Sequence, residues 1–184
     1  MIQGRQGSGA HPSTQRAARL PAALGALLIS ATFGCAYSFS GSALPAHIKS
    51  VAVPTFGNQT VEPELAQQLT AALTDRLVED GRLKLASESQ AQARFDAQVV
   101  SYENKVLNYT ADQSPRDYIV IITVSLALRD VVRNREIWKD EALKATSIYK
   151  PSDTTATITT EDAARKDAMS SLTRDIVNRT LESW

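Results

Sequence analysis

The sequence predicts an α+β fold: a two-layer sandwich with two helices packed on one face of a small mixed β-sheet. Three patterns carry this expectation. Residues 118–129 alternate without a break, so that Tyr118, Val120, Ile122, Val124, Leu126 and Leu128 share one face. Two stretches, 65–77 and 168–181, place apolar residues at helical spacing. The elements run strand, helix, four strands, helix, an order that layers helices on a sheet.

Taken in order, residues 48–56, "IKSVAVPTF", read as a strand ended by Pro54, which has no N–H to give a ladder. "GNQTVEPE" reads as a turn. Pro63 suits a first helical position, and Glu64 suits a first turn, where the helix dipole favours an acid. Leu65, Leu69, Ala72, Leu73 and Leu77 then form one apolar stripe on a helix over about 63–80. Gly81 closes it as a left-handed cap. "RLKLAS" predicts a short strand with Leu83 and Leu85 on one side, and the first strand, the helix and this strand form a split βαβ unit. A strand starts near residue 94, and "ADQSPR" is a polar loop. The strand over 117–130 is apolar on one face; on the other, Ile119 and Ile121 give way to Thr123, Ser125 and Arg129. That predicts a central strand with helices on one side and partial cover on the other. "VVRNR" turns, and "EIWKDEALKATSIYK" returns as a strand. After the loop at Pro151, Thr160 caps a helix with Glu161 and Asp162 in its first turn. Ala168, Met169, Leu172, Ile176, Thr180 and Leu181 form its inward stripe.

The N-terminal part predicts an export signal. Residues 1–19 hold Arg5, Arg16 and Arg19 and no acid, and residues 20–33 are an uncharged apolar run. That run is too short to span ~30 Å of hydrocarbon as a helix. It ends at Gly34-Cys35, a small residue before the chain's one cysteine, which resembles the lipobox of bacterial lipoproteins. Thr32 and Phe33 stand where that pattern has Leu and a small residue. The resemblance implies cleavage before Cys35 and acylation of its thiol. Two or more acyl chains hold a protein on a membrane where one holds marginally. The competing readings are a free structural thiol or a reactive one; a lone Cys forms no internal disulfide. Ala36 in place of Asp implies an outer-membrane destination. The chain thus divides into a signal peptide over 1–34, a lipidated anchor and linker over 35–47, and a single α+β domain over 48–184.

The chain holds 20 basic and 20 acidic residues; the first 34 take three Arg and no acid, leaving a net charge of −3 on the 150 residues after them. That length makes one ordinary domain. The mild acidity argues against a nucleic-acid partner. No constellation for catalysis or metal binding stands out, and none calls for a cofactor. His47 is the one histidine after the signal and reads as a surface or junction residue. Asp75, Glu79 and Asp80 read as the solvated face of the first helix. Glu161, Asp162 and Asp167 read as dipole complement and solubility. No Gly-rich phosphate loop or GxSxG motif occurs. Asn58, Asn108 and Asn178 each open an Asn-x-Thr triplet; in an exported bacterial chain these read as chance, the last inside a helix.

An ordered set of residues runs through the chain: Cys35, Tyr37, Phe39 and Gly41; Leu44, Pro45 and Ile48; Val51 to Pro54 and Phe56; Asn58, Thr60, Pro63 and Leu65; then Asp80 to Arg82. Tyr102, the long strand to Arg129-Asp130, Trp138 and Tyr149 continue it. In this the chain resembles the LptE family of lipopolysaccharide-assembly lipoproteins. The resemblance implies a non-enzymatic outer-membrane lipoprotein on the periplasmic side that plugs an LptD β-barrel, supports its assembly and aids delivery of lipopolysaccharide to the outer leaflet. A wet polar lumen would meet polar side chains. Lipopolysaccharide carries phosphates, so a contact needs Lys or Arg at a strand tip. Arg133 and Arg135 flank Asn134 in a hairpin turn with Lys139 nearby; the two readings of this tip are a lipopolysaccharide contact and an ordinary solvated turn. The alternatives are a lipoprotein subunit of another envelope machine, or a periplasmic binding lipoprotein for a small apolar ligand.

Overall fold

The computed structural model describes residues 44–182; the expected signal peptide, Cys35 and most of the linker lie outside them. Eight elements follow in chain order: β1 (Ser50–Ala52), β2 (Gly57–Asn58), α1 (Leu65–Asp80), β3 (Lys84–Leu85), β4 (Ala93–Tyr109), β5 (Pro115–Asp130), β6 (Arg135–Tyr149) and α2 (Glu161–Leu181). The sheet order is β3-β1-β4-β5-β6, and β2 also lies on β4. The three long strands form an antiparallel meander. The short N-terminal strands pair in parallel with their neighbours. The sheet is mixed and carries two helices, the α+β sandwich that the sequence predicts.

The long strands form where side-chain alternation is strongest. Val120, Ile122, Val124, Leu126 and Leu128 of β5 are buried on one face. Both helices feed the same core: Leu65, Leu69, Leu73 and Leu77 of α1 with Ala168, Leu172 and Ile176 of α2. Phe95 of β4 sits among them, edge-on to Trp138 of β6 with ring centroids 6.5 Å apart. The opposite face of β5 carries Ile119, Ile121, Ser125 and Arg129, all half-buried. No helix packs over it among the described residues.

The N-terminal elements differ from expectation in five ways. β1 is three residues long, because the chain bends away at Val53-Pro54. Ile48 and Phe56, outside the strand, are still buried, and the Phe56 N–H bonds to Thr70 Oγ1 of α1 at 3.0 Å. Residues 57–58, expected as a turn, form β2 on β4; Gly57 approaches Gln98 so closely that a Cβ would meet its Cγ at 3.3 Å. The first helix begins at Leu65, with Glu64 as its N-cap rather than in its first turn. β1 and β3 are direct parallel neighbours, so the βαβ unit is not split. β3 is the sheet's edge, and only Leu83 of the pair Leu83 and Leu85 is buried; Leu85 is exposed.

The two helix signals read from sequence stand. Gly81 ends α1 at φ +72°, and its N–H bonds to the Leu77 carbonyl at 3.1 Å. Thr160 caps α2 by accepting from the Ala163 N–H at 3.2 Å.

Candidate functional site

The β5–β6 turn carries the expected contact residues, and its geometry starts from one buried carboxylate. Asp130 is the last residue of β5 and is fully buried. Its Oδ1 accepts the backbone N–H of Arg133 at 3.0 Å. Its Oδ2 lies 3.0 Å from Nε2 of His47 and 3.7 Å from Nε of Arg135. Burial works to raise the Asp130 pKa, but the Arg133 N–H and the His47 ring outweigh it and hold the carboxyl below the usual range. Asn134 takes φ +48°, the left-handed value that closes a tight turn. The structure therefore brings Arg133 and Arg135 together around Asp130.

Lys139 is not part of this cluster. It stands opposite Ala127 on the helix-free face and donates to Glu141 Oε1 at 2.6 Å. Each favours the charged state of the other: the Lys139 pKa goes up and that of Glu141 goes down. Lys139 lines an open groove of about 480 Å³ with Asp96, Gln98, Ser125, Arg129 and Glu136. Asp96 accepts from Arg94 at 2.7 Å and from Arg129 at 3.3 Å. The groove wall thus pairs its charges rather than concentrating one sign. Such a wall suits a polar, hydrated surface and not an apolar ligand.

His47 meets its expectation as a junction residue, but as a working one: it ties the start of the domain to the end of β5. Two other residues depart from their reading as solubility groups. Glu161 Oε1 accepts from the Tyr102 hydroxyl at 2.6 Å, and its Oε2 accepts from Asn104 Nδ2 at 2.7 Å. Asn104 also donates to the Tyr149 hydroxyl at 2.9 Å. Burial, then Glu161, push the Tyr102 phenol pKa up. Asp167 accepts from Ser147 Oγ of β6 at 2.7 Å. These bonds clasp α2 to the sheet. The signal was in the strands: Tyr102 and Asn104 share a face two residues apart, and Ser147 interrupts the apolar set Leu143, Ala145 and Tyr149. Asp162 fits its reading, with Arg165 and Lys166 as surface partners at 2.8 and 2.7 Å. Asp75 and Glu79 are exposed, and Asp80 binds Arg82 at 2.7 Å.

Glu161→Ala removes two hydrogen bonds to a charged acceptor and is expected to destabilise the fold by about 2 kcal/mol. Urea unfolding checks it, and Glu161→Gln should recover part of the loss.

A family model described as LptE, lipopolysaccharide-assembly, matches residues 48–180. No curated protein matches the chain. Among solved structures the chain is similar to a DUF330 protein of Xanthomonas campestris, at TM-score 0.55 and 15% identity over 76% of this chain and 89% of that one. It is similar to PelC of Paraburkholderia phytofirmans, a dodecamer, at TM-score 0.51 and 19% identity over 76% and 93%. A hypothetical protein of Chlamydia trachomatis matches at TM-score 0.51 and 15% identity over 72% and 95%. These likenesses show a shared fold.

Proposed function

The chain belongs to the LptE lipopolysaccharide-assembly family, and from that membership we propose that it is a non-enzymatic outer-membrane lipoprotein, acylated at Cys35 on the periplasmic side, that plugs an LptD-type β-barrel. In this role it supports the barrel's assembly and aids insertion of lipopolysaccharide into the outer leaflet. The domain boundaries follow the same reading: a signal over 1–34, an anchor and linker over 35–47, and the plug domain from 48 to 184.

The observation that carries the plug reading, beyond membership, is the helix-free face of the sheet. Towards the end of β5 it is polar, with charges paired across Arg94, Asp96 and Arg129 and across Lys139 and Glu141; towards the start of β5 it carries Ile119, Ile121 and Ile148; and no helix covers it among the described residues. A hydrated barrel lumen is a polar surface that such a wall can face without stranding a charge. A binding lipoprotein for a small apolar ligand would instead want a deep apolar pocket.

The test is gentle detergent extraction of outer membranes carrying the full chain with a C-terminal tag, followed by mass spectrometry. An LptD-type barrel at near-equal amount, with acyl mass on Cys35, is the expected result. The protein alone, or beside subunits of another export machine, would rule the plug out.

The lipopolysaccharide contact of this reading is the β5–β6 turn. Arg133 and Arg135 sit in and beside it, about half of the Arg135 side chain is exposed, and Lys139 lies along β6. Guanidinium groups at a strand tip suit phosphate oxygens through charge-assisted hydrogen bonds. Arg133→Glu with Arg135→Glu is expected to weaken binding of purified lipopolysaccharide by roughly tenfold, the effect of losing one such contact. Unchanged binding removes the turn from the ligand path.

A further inference from the structure

One end of the sheet gathers cations and bare apolar side chains. Gln92, just before β4, ties the start of β1 to the end of β5 there. Its Oε1 accepts the Lys49 N–H at 2.7 Å, and its carbonyl accepts the Val131 N–H at 2.9 Å. The Lys49 carbonyl in turn accepts the Lys84 N–H of β3 at 2.9 Å. Val131 and Val132 open the β5–β6 turn and are 44% and 65% exposed. Arg133 and Arg135 stand beside them. Lys49, Lys84 and Arg133 are exposed and form no ion pair among the described residues, and Arg135 reaches only Asp130, at 3.7 Å. These four cations share one rim in a chain whose net charge is −3 after residue 34.

The N-terminal segment enters the domain at the same rim, since His47 is held on Asp130 at 3.0 Å. Cys35 stands 12 residues before His47. A stretch of that length spans at most about 40 Å. The two ends of the 16-residue strand β5 are farther apart, at roughly 50 Å. A chain acylated at Cys35 therefore cannot stand on its far end, and it keeps this rim close to the bilayer. Lys and Arg are attracted by anionic headgroups, and apolar side chains among them bury in the headgroup boundary. We propose that the rim docks on the phospholipid leaflet that holds the anchor. Val131 and Val132 enter the headgroup boundary, and Lys49, Lys84, Arg133 and Arg135 meet lipid phosphates. The inference rests on the acylation of Cys35 and not on the barrel. It sets the two arginines at phosphate depth, the level at which a lipopolysaccharide phosphate would meet them.

The experiment uses the full chain, purified from membranes and reconstituted in vesicles of phosphatidylethanolamine and phosphatidylglycerol. Mass spectrometry first reads the acyl mass on Cys35; its absence overturns the anchor reading and this one with it. An acylated Cys35 leaves Val132→Cys as the one free thiol, which takes a nitrobenzoxadiazole dye. Lipids with a quencher high on the acyl chain should cut its emission at least ~2-fold, since docked side chains lie ~5–10 Å into the boundary. The same dye on Ala111→Cys, in the turn at the opposite end of β5, should keep its emission. Lys49→Glu with Lys84→Glu, or vesicles of phosphatidylcholine alone, should remove most of the quenching at residue 132. All four sites are exposed, so melting curves should match wild type. An acylated chain with no quenching at residue 132 overturns the docking and leaves the anchor standing. Equal quenching at residues 111 and 132 overturns it too, as does quenching that ignores the lysines and the lipid charge. Quenching that appears only when lipopolysaccharide is added gives the turn to that ligand and overturns the leaflet contact.

Discussion

Phe95→Ala is expected to destabilise the domain by about 3–5 kcal/mol, the range for truncating a fully buried aromatic ring. Phe95 is 1% exposed in the middle of the core and meets the Trp138 ring edge-on. It joins β4 to β6 across β5 and touches the layer that both helices cover. Its loss leaves a cavity that the long strands cannot close without breaking their register. For a domain of this size each kcal/mol moves the melting temperature by about 2–8 °C, so calorimetry should show a fall of roughly 10–20 °C. Phe95→Leu should recover more than half. A shift of only a degree or two would mean that the ring is not enclosed.

The second large effect is at Asp130. Asp130→Ala strips the Arg133 N–H, the His47 ring and the Arg135 guanidinium of their shared acceptor at once. The melting temperature should fall by several degrees at neutral pH. Its pH dependence follows from the sign of the shift. The folded carboxyl titrates below the unfolded value of about 3.9. Its stabilisation is therefore present above that value and is lost as pH falls through the folded pKa. Wild type and Asp130→Ala should differ most at pH 5–8 and converge below about pH 4. Asp130→Asn keeps an acceptor for the Arg133 N–H and should fall between them. A wild-type advantage that persists undiminished at pH 2–3 would show that the carboxylate charge is not what the turn relies on.

The meander was legible in the sequence because period-two alternation over 118–129 fits an extended strand and no helix, and because β4 and β6 flank it at hairpin distance. Gly81 and Thr160 were legible because caps are local: one residue's backbone freedom or one hydroxyl decides them. The N-terminal half was read less well. A two-residue parallel strand such as Gly57–Asn58 has no period, and Asn-Gln-Thr reads as a turn whichever strand it touches. Edge position, which exposes Leu85 while Leu83 is buried, depends on pairing order and leaves no mark on neighbouring residues. The polar partners were hidden by distance. His47 and Asp130 are 83 residues apart, and Glu161 lies 59 from Tyr102. An acid in a first helical turn has a local reason to be there, and the polar pair Tyr102 and Asn104 on one strand face was the one sign of the residues that claim it.

The two pairings that complete the sheet's N-terminal side have a bearing on how the chain assembles. β1 and β2 find their place on β4, and Val51 waits for Ala93, 42 residues later. The meander, by contrast, needs only its own short turns, and contacts of low sequence separation form first. A polypeptide that emerges from a membrane channel with its N-terminus leading therefore presents β1, β2 and α1 before their template exists. Until β4 follows, β1 has only β3 to pair with, and β2 has no strand to pair with. Docking of these elements onto β4 is followed by later clasps: His47 meets Asp130 at the end of β5, and Glu62 meets Arg165 of α2. A chain of this design is not finished until almost all of it has emerged.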